Sequence, residues 1–146
     1  MFKHILIATD GSPLANKAAK AGIALASALG VKVTAYFALE NLQSMFVDGY
    51  AFDQTTIDRL EAGARRAGQK HVDAVGKMAQ ATGVPCTLLV TNVVTAYEGI
   101  VDVAKKRKCD VIFMASHGRR GLSKLMMGSV TQKVLTHSKI PVVVYR

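Results

Sequence analysis

The alternation of apolar, strand-like segments with helical segments limits this chain to few folds. The first such segment, residues 2–9, is almost continuously apolar, which is typical of a strand buried on both faces of a parallel sheet. The five predicted strands are residues 2–9, 31–38, 86–91, 110–115 and 141–145. A helical segment separates each strand from the next, so the pattern predicts a doubly wound α/β sheet with helices on both faces. The 146 residues suit a single domain, 1–146.

Turn and capping residues mark the predicted helices. Ser12 and Pro13 are typical of a helix start, and Gly30 is typical of a helix end. The predicted helices are residues 14–29, 55–81, 96–108 and 129–137, and residues 40–52, which show no period, are predicted to form a loop. Capping boxes are predicted at Thr55–Asp58, Thr95–Glu98 and Ser129–Gln132. One apolar stripe is predicted on the second helix: Ile57, Leu60, Ala64, Ala67, His71, Val75 and Met78.

Composition excludes several classes of protein. Half of the residues are hydrophobic and 20% are charged, which argues against a disordered chain or a coiled coil. Apolar runs are shorter than the roughly 18 residues that span a bilayer, and the start of the chain does not resemble a signal peptide. We therefore expect a cytoplasmic protein with no membrane partner. Cys86 and Cys109 have no spacing that suits zinc or a disulfide framework, so both are predicted to pack as small hydrophobes.

The net charge of +9 favours an anionic partner, either a nucleotide, a nucleic acid or a lipid headgroup. The most concentrated charge is the run Lys105–Lys108 at a predicted helix end, where the helix dipole favours cations. No aromatic platform for bases accompanies this run, so a nucleic-acid partner is the less favoured interpretation.

The stretch Ala115-Ser-His-Gly118, followed after nine residues by Gly128-Ser129, is the strongest candidate site. Glycines let backbone N–H groups approach an anion, and a helix start adds free N–H donors. Arg119, Arg120 and Lys124 lie in the intervening loop, where they would attract anions or remain solvated charges. The pattern indicates phosphate binding, although Gly128-Ser129 is also compatible with a plain loop and helix cap.

Two other candidate groups keep two interpretations each. Asp10, at the end of the first strand, suits an Asx turn or a ligand contact, and the two roles are compatible. His117 is the only histidine in the candidate site, and a loop or phosphate-adjacent role is favoured over acid–base catalysis. The remaining histidines are assigned to packing (His4 and His71) or to a helix end (His137).

Residues 115–129 resemble the G-x2-G-x9-G-[ST] signature of nucleotide-binding universal stress proteins, with Ala115 in place of the first glycine. Residues 5–12 and 141–144 also resemble the first strand and the ending of that family, so the resemblance covers nearly the whole chain. It implies a Rossmann-like, five-stranded parallel sheet in the order 3-2-1-4-5.

The resemblance also implies a function and a site. It predicts a stress-response binding or regulatory protein that holds ATP, with Mg or Mn, at the carboxyl ends of strands 1, 2 and 4. A homodimer through Pro141–Tyr145 is implied as well. The implied nucleotide-binding residues are Ala8, Thr9, Asp10, Phe37, Met114, Ala115, Ser116, His117, Gly118, Gly128, Ser129, Val130 and Thr131.

Three other functions remain open from the sequence. A family member that has lost nucleotide binding and acts through protein interactions would explain Ala115. A nucleic-acid binder is indicated by the charge alone. An enzyme has little support, because the chain has no Walker A, G-x-S-x-G or dinucleotide glycine motif and no recognisable carboxylate pair. At most, slow ATP hydrolysis is expected.

Overall fold

A computed structural model describes residues 1–41, 53–118 and 126–146 of the chain. These residues form five strands and four helices that alternate. The elements are β1 (His4–Ala8), α1 (Pro13–Leu29), β2 (Lys32–Glu40), α2 (Gln54–Ala81), β3 (Cys86–Val93), α3 (Ala96–Lys106), β4 (Val111–Ala115), α4 (Ser129–His137) and β5 (Val142–Tyr145). The predicted order of elements is therefore confirmed.

The five strands form one parallel sheet in the order β3-β2-β1-β4-β5, as predicted. All five residues of β1 and of β4 are buried, which explains why both segments are continuously apolar. Residues from α1 and α2 pack with one face of the sheet, and residues from α3 and α4 pack with the other. The doubly wound arrangement places the carboxyl ends of all the strands at one edge, where ligands of such sheets bind.

The ends of α1 are those that the sequence predicts. The Ser12 Oγ accepts the N–H of Ala15 at 3.2 Å, and Pro13 is the first helical residue. Gly30 ends the helix with φ of 66°, a left-handed conformation that a residue without a side chain adopts at little cost.

Helix α2 departs from the prediction at its start. The N-cap is Asp53 and not Thr55, because the Asp53 carboxylate accepts the N–H of Thr56 at 2.7 Å. Of the predicted loop, Glu40 belongs to β2, and residues 42–52 lie outside the described residues.

The predicted stripe on α2 is only partly correct. Val75 is buried as predicted, but Leu60 is 43% exposed and Ala67 is exposed. The buried residues of α2 are Gly68, Val72, Val75 and Ala79. A helix of 28 residues is about 42 Å long, whereas the nine residues of β2 span about 30 Å. The helix is longer than the strands on which it packs, and burial begins only at Gly68.

Two of the other predicted caps also differ. Thr95 is the N-cap of α3 as predicted, but its hydroxyl donates to the Glu98 carboxylate at 2.7 Å and does not bind a helix N–H group. The first N–H of α3, from Ala96, donates instead to the Glu40 side chain at 2.8 Å. Helix α4 has Gly128 as its N-cap, so Ser129 is the first helical residue and not the cap.

Both cysteines are free thiols, and Cys109 packs in the core as predicted, whereas Cys86 is only half-buried. Burial raises the pKa of the Cys109 thiol to about 11, so that the thiol stays protonated at neutral pH. Among the described helices, none is long and apolar enough to cross a membrane.

Candidate functional site

The turn that follows β1 is fixed by its own side chains. Asp10 Oδ1 accepts the N–H of Ser12 at 2.9 Å, which is the predicted Asx turn. Thr9 Oγ1 accepts the N–H of Gly11 at 3.1 Å, and Gly11 has φ of 76°. The side chains of Asp10 and Thr9 thus hold the backbone of this turn.

The end of β4 is joined to the start of α4 by two hydrogen bonds. The N–H of Gly128 donates to the carbonyl of Ser116 at 2.8 Å. The hydroxyl of Thr131, which is 3% exposed, donates to the carbonyl of Ala115 at 2.9 Å. These bonds hold the first turn of α4 directly beside the turn that follows β4.

The turns after β1 and β4 also meet each other. A side-chain carbon placed on Gly118 would lie 2.2 Å from Asp10 Oδ2, so the Asp10 carboxylate packs against the backbone of Gly118. A carbon placed on Gly128 would lie 3.2 Å from the Cα of His117. The described structure therefore brings Asp10, Gly118 and Gly128 together, and glycine at the last two positions permits the approach.

The N-terminus of α4 has no side-chain cap among the described residues. The other three helices differ, because Ser12 caps α1, Asp53 caps α2, and Glu40 accepts the first N–H of α3. The first N–H groups of a helix have no partner within the helix and carry a partial positive charge. Of the four described helices, α4 is thus the one that offers these groups to a ligand.

Phe37 lies within β2, which continues for three residues to Glu40, and not at the strand end as predicted. Its ring packs against Gly68, since a side-chain carbon added to Gly68 would lie 2.6 Å from Cδ1 of the Phe37 ring. The ring centroid is 5.6 Å from that of His71. Phe37 therefore links β2 to α2 beside the candidate site.

His71 is a neighbour of the site that the sequence interpretation treats only as a packing residue. Its ring covers Gly11, since a side-chain carbon on Gly11 would overlap the ring at 2.1 Å. No local pattern indicates this contact, because it depends on how α2 lies across the turn that follows β1. In the sequence, only Gly11 itself indicates that another group approaches this turn closely.

Ala115 fits its position without strain. It lies in β4, is 7% exposed and belongs to the apolar cluster that packs with α1 and α2. Its φ is not positive, since Lys108 is the only residue other than glycine with positive φ in the described ranges. The methyl group is therefore part of the core.

The remaining predicted residues divide by exposure. Ala8, Thr9, Met114 and Ser116 are buried, so they can offer a ligand little beyond main-chain groups. The Ser116 hydroxyl and His117 Nδ1 are 3.1 Å apart. Ser129 and Val130 lie in the first turn of α4, whereas Arg119, Arg120 and Lys124 lie outside the described residues. Within the described ranges, no three potential metal-ligand side chains form a group.

Comparison with known proteins decides the family. The sequence model of the Universal stress protein family matches residues 1–146. The chain belongs to the universal stress protein family. The sequence resemblance is confirmed along the whole chain.

Individual universal stress proteins are similar along most of their length. Universal stress protein MJ0531 of Methanocaldococcus jannaschii is 32% identical over 146 residues, which cover 100% of this chain and 83% of that protein. The structure of MJ0577 from the same organism superposes with a TM-score of 0.84 at 25% identity, covering 99% of this chain and 96% of that one. A universal stress protein of Archaeoglobus fulgidus in complex with dAMP gives a TM-score of 0.62 at 20% identity, with 100% and 98% covered.

Proposed function

We propose that this universal stress protein binds ATP, together with a divalent cation, at the carboxyl ends of β1, β2 and β4. The observation that carries the proposal is the start of α4, which has no side-chain cap among the described residues. The Gly128 and Thr131 bonds hold it against the turn after β4, where Gly118 packs against Asp10. Backbone N–H groups at a helix start bind phosphate. The complex of the Archaeoglobus fulgidus relative with dAMP supports a nucleotide as the ligand.

Each part of the nucleotide has a proposed partner in this chain. The phosphates lie over Gly118, Gly128 and the first N–H groups of α4, from Ser129, Val130 and Thr131. The Asp10 carboxylate accepts from the ribose, and the main chain near Phe37 contacts the base. A divalent cation in such a site is held mainly by phosphate oxygens and water, so the chain needs to contribute few ligands.

The proposed role is regulatory, in a cytoplasmic protein that changes its interactions when the nucleotide is bound. Any hydrolysis of ATP is expected to be slow. Of the predicted site residues, His117 is the histidine, and its Nδ1 lies 3.1 Å from the Ser116 hydroxyl.

We also propose a homodimer through β5. This strand pairs only with β4 in the described sheet, so its outer edge offers backbone groups to a second copy. All four of its residues are half-buried, including Val143. Sedimentation equilibrium of the wild type and of Val143→Lys tests this arrangement, and a wild type that stays monomeric at about 100 μM contradicts it.

Isothermal titration with MgATP tests the nucleotide proposal. Gly128→Val places a branched side chain on the N-cap of α4, where its first carbon would lie 3.2 Å from the Cα of His117. We expect saturable binding to the wild type and at least about a hundredfold loss in the variant. Gly63→Val is the matched control, since among the described residues a side-chain carbon there would meet only the Arg66 guanidinium, at 3.9 Å.

Two outcomes would contradict the proposal. If the wild type takes up no ATP at millimolar concentration, the chain is a family member that acts through protein contacts alone. If Gly128→Val binds as well as Gly63→Val while both variants unfold at similar temperatures, the nucleotide lies elsewhere on the protein.

A further inference from the structure

The edge of the sheet opposite the candidate site carries a concentrated positive charge. Every strand begins at this edge, so the residues that precede or open the strands meet there. Seven exposed cations of the described residues lie on it: Lys3, Lys32, Lys105, Lys106, Arg107, Lys108 and Lys139. We call this set the basic edge. The one described carboxylate at this end of the strands is Asp110.

Strand pairing places these cations side by side. Lys32 pairs with His4, which follows Lys3 directly. The N–H of Asp110 donates to the carbonyl of His4 at 3.0 Å, and the N–H of Ile112 donates to the carbonyl of Pro141 at 2.9 Å. The basic edge therefore crosses β2, β1, β4 and β5, a width of about 14 Å at the usual spacing of strands. The sequence alone shows only the run 105–108, and the fold adds three further lysines.

Within the described part of the chain, these side chains have no ion-pair partner. The last carbonyls of α3 are occupied by backbone donors, since the N–H groups of Arg107 and Cys109 donate to Val103 and Ala104 at 2.9 and 2.8 Å. Asp110 accepts the backbone N–H groups of Lys3 and His4 at 2.8 and 3.2 Å. Among the described residues, no ion pair engages any cation of the basic edge. The cations are thus available to an external anion.

Lys108 occupies an unfavourable backbone conformation. Its φ is 54°, the left-handed region that glycine or asparagine commonly adopts after a helix. For a lysine this conformation costs about 1 kcal/mol. The basic edge therefore has a positive charge at position 108 although glycine would be more stable at this position.

We propose that the basic edge binds the phosphate backbone of duplex nucleic acid without reading its sequence. Duplexes release counterions when cations approach them, so lysines and arginines alone are sufficient for such binding. Single-stranded nucleic acid is less suitable, because it needs exposed aromatic rings for stacking, and the aromatic side chain at this edge, Phe2, packs against the core. A protein partner is less suitable as well, since interfaces depend on aromatic or apolar anchors at their centre.

This binding surface is separate from the nucleotide site. The two sites lie at opposite ends of β1, about 17 Å apart along its five residues. The proposal therefore does not rest on nucleotide binding, and either one can fail without the other.

Fluorescence anisotropy with a labelled duplex of mixed sequence, about 20 base pairs long, tests the proposal across about 25–200 mM salt. We expect log affinity to fall with log salt with a slope of about −3 to −6. In the triple variant Lys3→Gln, Lys32→Gln, Lys108→Gly, the affinity should drop at least about tenfold and the slope should become shallower by about 2–3. The matched control removes the same charge from exposed helix positions in the triple variant Lys17→Gln, Lys20→Gln, Lys70→Gln. This control should change the affinity less than about threefold.

The single variant Lys108→Gly separates loss of binding from loss of folding. It removes the backbone strain of a lysine in the left-handed conformation, so the protein should become more stable. Its affinity for the duplex should nevertheless fall about twofold to fivefold. The proposal is overturned if the wild type does not bind at the lowest salt, or if the control triple loses as much affinity as the edge triple. It is also overturned if single strands or anionic phosphatidylglycerol vesicles compete better than an unlabelled duplex of equal phosphate concentration.

Discussion

The hydroxyl of Thr131 is the single group whose removal best tests how the site is held together. It is 3% exposed and donates to the carbonyl of Ala115 at 2.9 Å, which joins α4 to the end of β4. Thr131→Val keeps nearly the same shape but removes the donor. The carbonyl of Ala115 then loses this partner in a buried environment, while the packing of the side chain is preserved.

The expected loss follows from those two facts. A typical intramolecular hydrogen bond contributes about 1 kcal/mol, and a buried polar group left without a partner costs about 1–3 kcal/mol. We expect Thr131→Val to lower the free energy of unfolding by about 2 kcal/mol. For a chain of 146 residues this corresponds to a fall in melting temperature of about 6 °C.

Guanidinium denaturation followed by circular dichroism measures the effect, with Thr136→Val as the matched control. Thr136 lies on the same helix and its hydroxyl donates to the carbonyl of Gln132 at 2.9 Å, but this bond is exposed to water. The control should lose less than about 0.5 kcal/mol. Titration with MgATP should show about tenfold weaker binding for Thr131→Val alone, because the N–H groups of α4 move away from Asp10.

Equal destabilisation of the two variants would refute this reasoning. It would mean that the Thr131 bond adds nothing beyond an ordinary helix-surface contact. If Thr131→Val is clearly destabilised but binds MgATP with normal affinity, the contribution of the hydrogen bond to stability is supported. The role of the α4 start in binding phosphate is then refuted.

Three further predictions concern the core. Gly68→Ala should lower the free energy of unfolding by about 1–2 kcal/mol in chemical denaturation, since the new carbon meets the Phe37 ring at 2.6 Å. The control Gly63→Ala should raise this free energy by about 1 kcal/mol. Burial and nearby Lys32 lower the pKa of His4 below 6.5. The free energy of unfolding, measured from pH 7.5 to 5, should therefore fall as the pH drops below about 6.5, because the unfolded chain then binds more protons. A His4→Gln variant should lose this dependence. Cys109, with its pKa near 11, should react with a thiol reagent at neutral pH far more slowly than the half-buried Cys86, and equal rates would contradict its burial.

The fold could be predicted because its signals are local. The apolar run of β1 indicates burial on both faces, and Ser12-Pro13 with Gly30 defines α1 at both ends. Each of these features depends on residues within a few positions of one another. The order of elements then follows from the alternation of strands and helices, and the strand order from the family resemblance.

The errors concern contacts between residues distant in sequence. The local Thr95–Glu98 pattern gives the right N-cap residue for α3, Thr95, but not the group that accepts the first N–H, which is Glu40, 56 residues away. The periodic stripe on α2 cannot show where the sheet ends, so Leu60 is wrongly assigned to the core. The contact of His71 with Gly11 likewise depends on the placement of α2. Capping and burial at these positions are decided by tertiary structure.

The two edges of the sheet imply different ways of binding anions. The carboxyl edge holds Asp10 and Glu40 and would bind phosphate through a few fixed N–H groups at short range, despite the nearby carboxylates. The basic edge would act through many mobile cations that salt screens. Affinity for MgATP should therefore change much less between about 50 and 200 mM salt than affinity for the duplex. Equal salt dependence for the two ligands would mean that overall charge, and not the local geometry at α4, attracts the nucleotide.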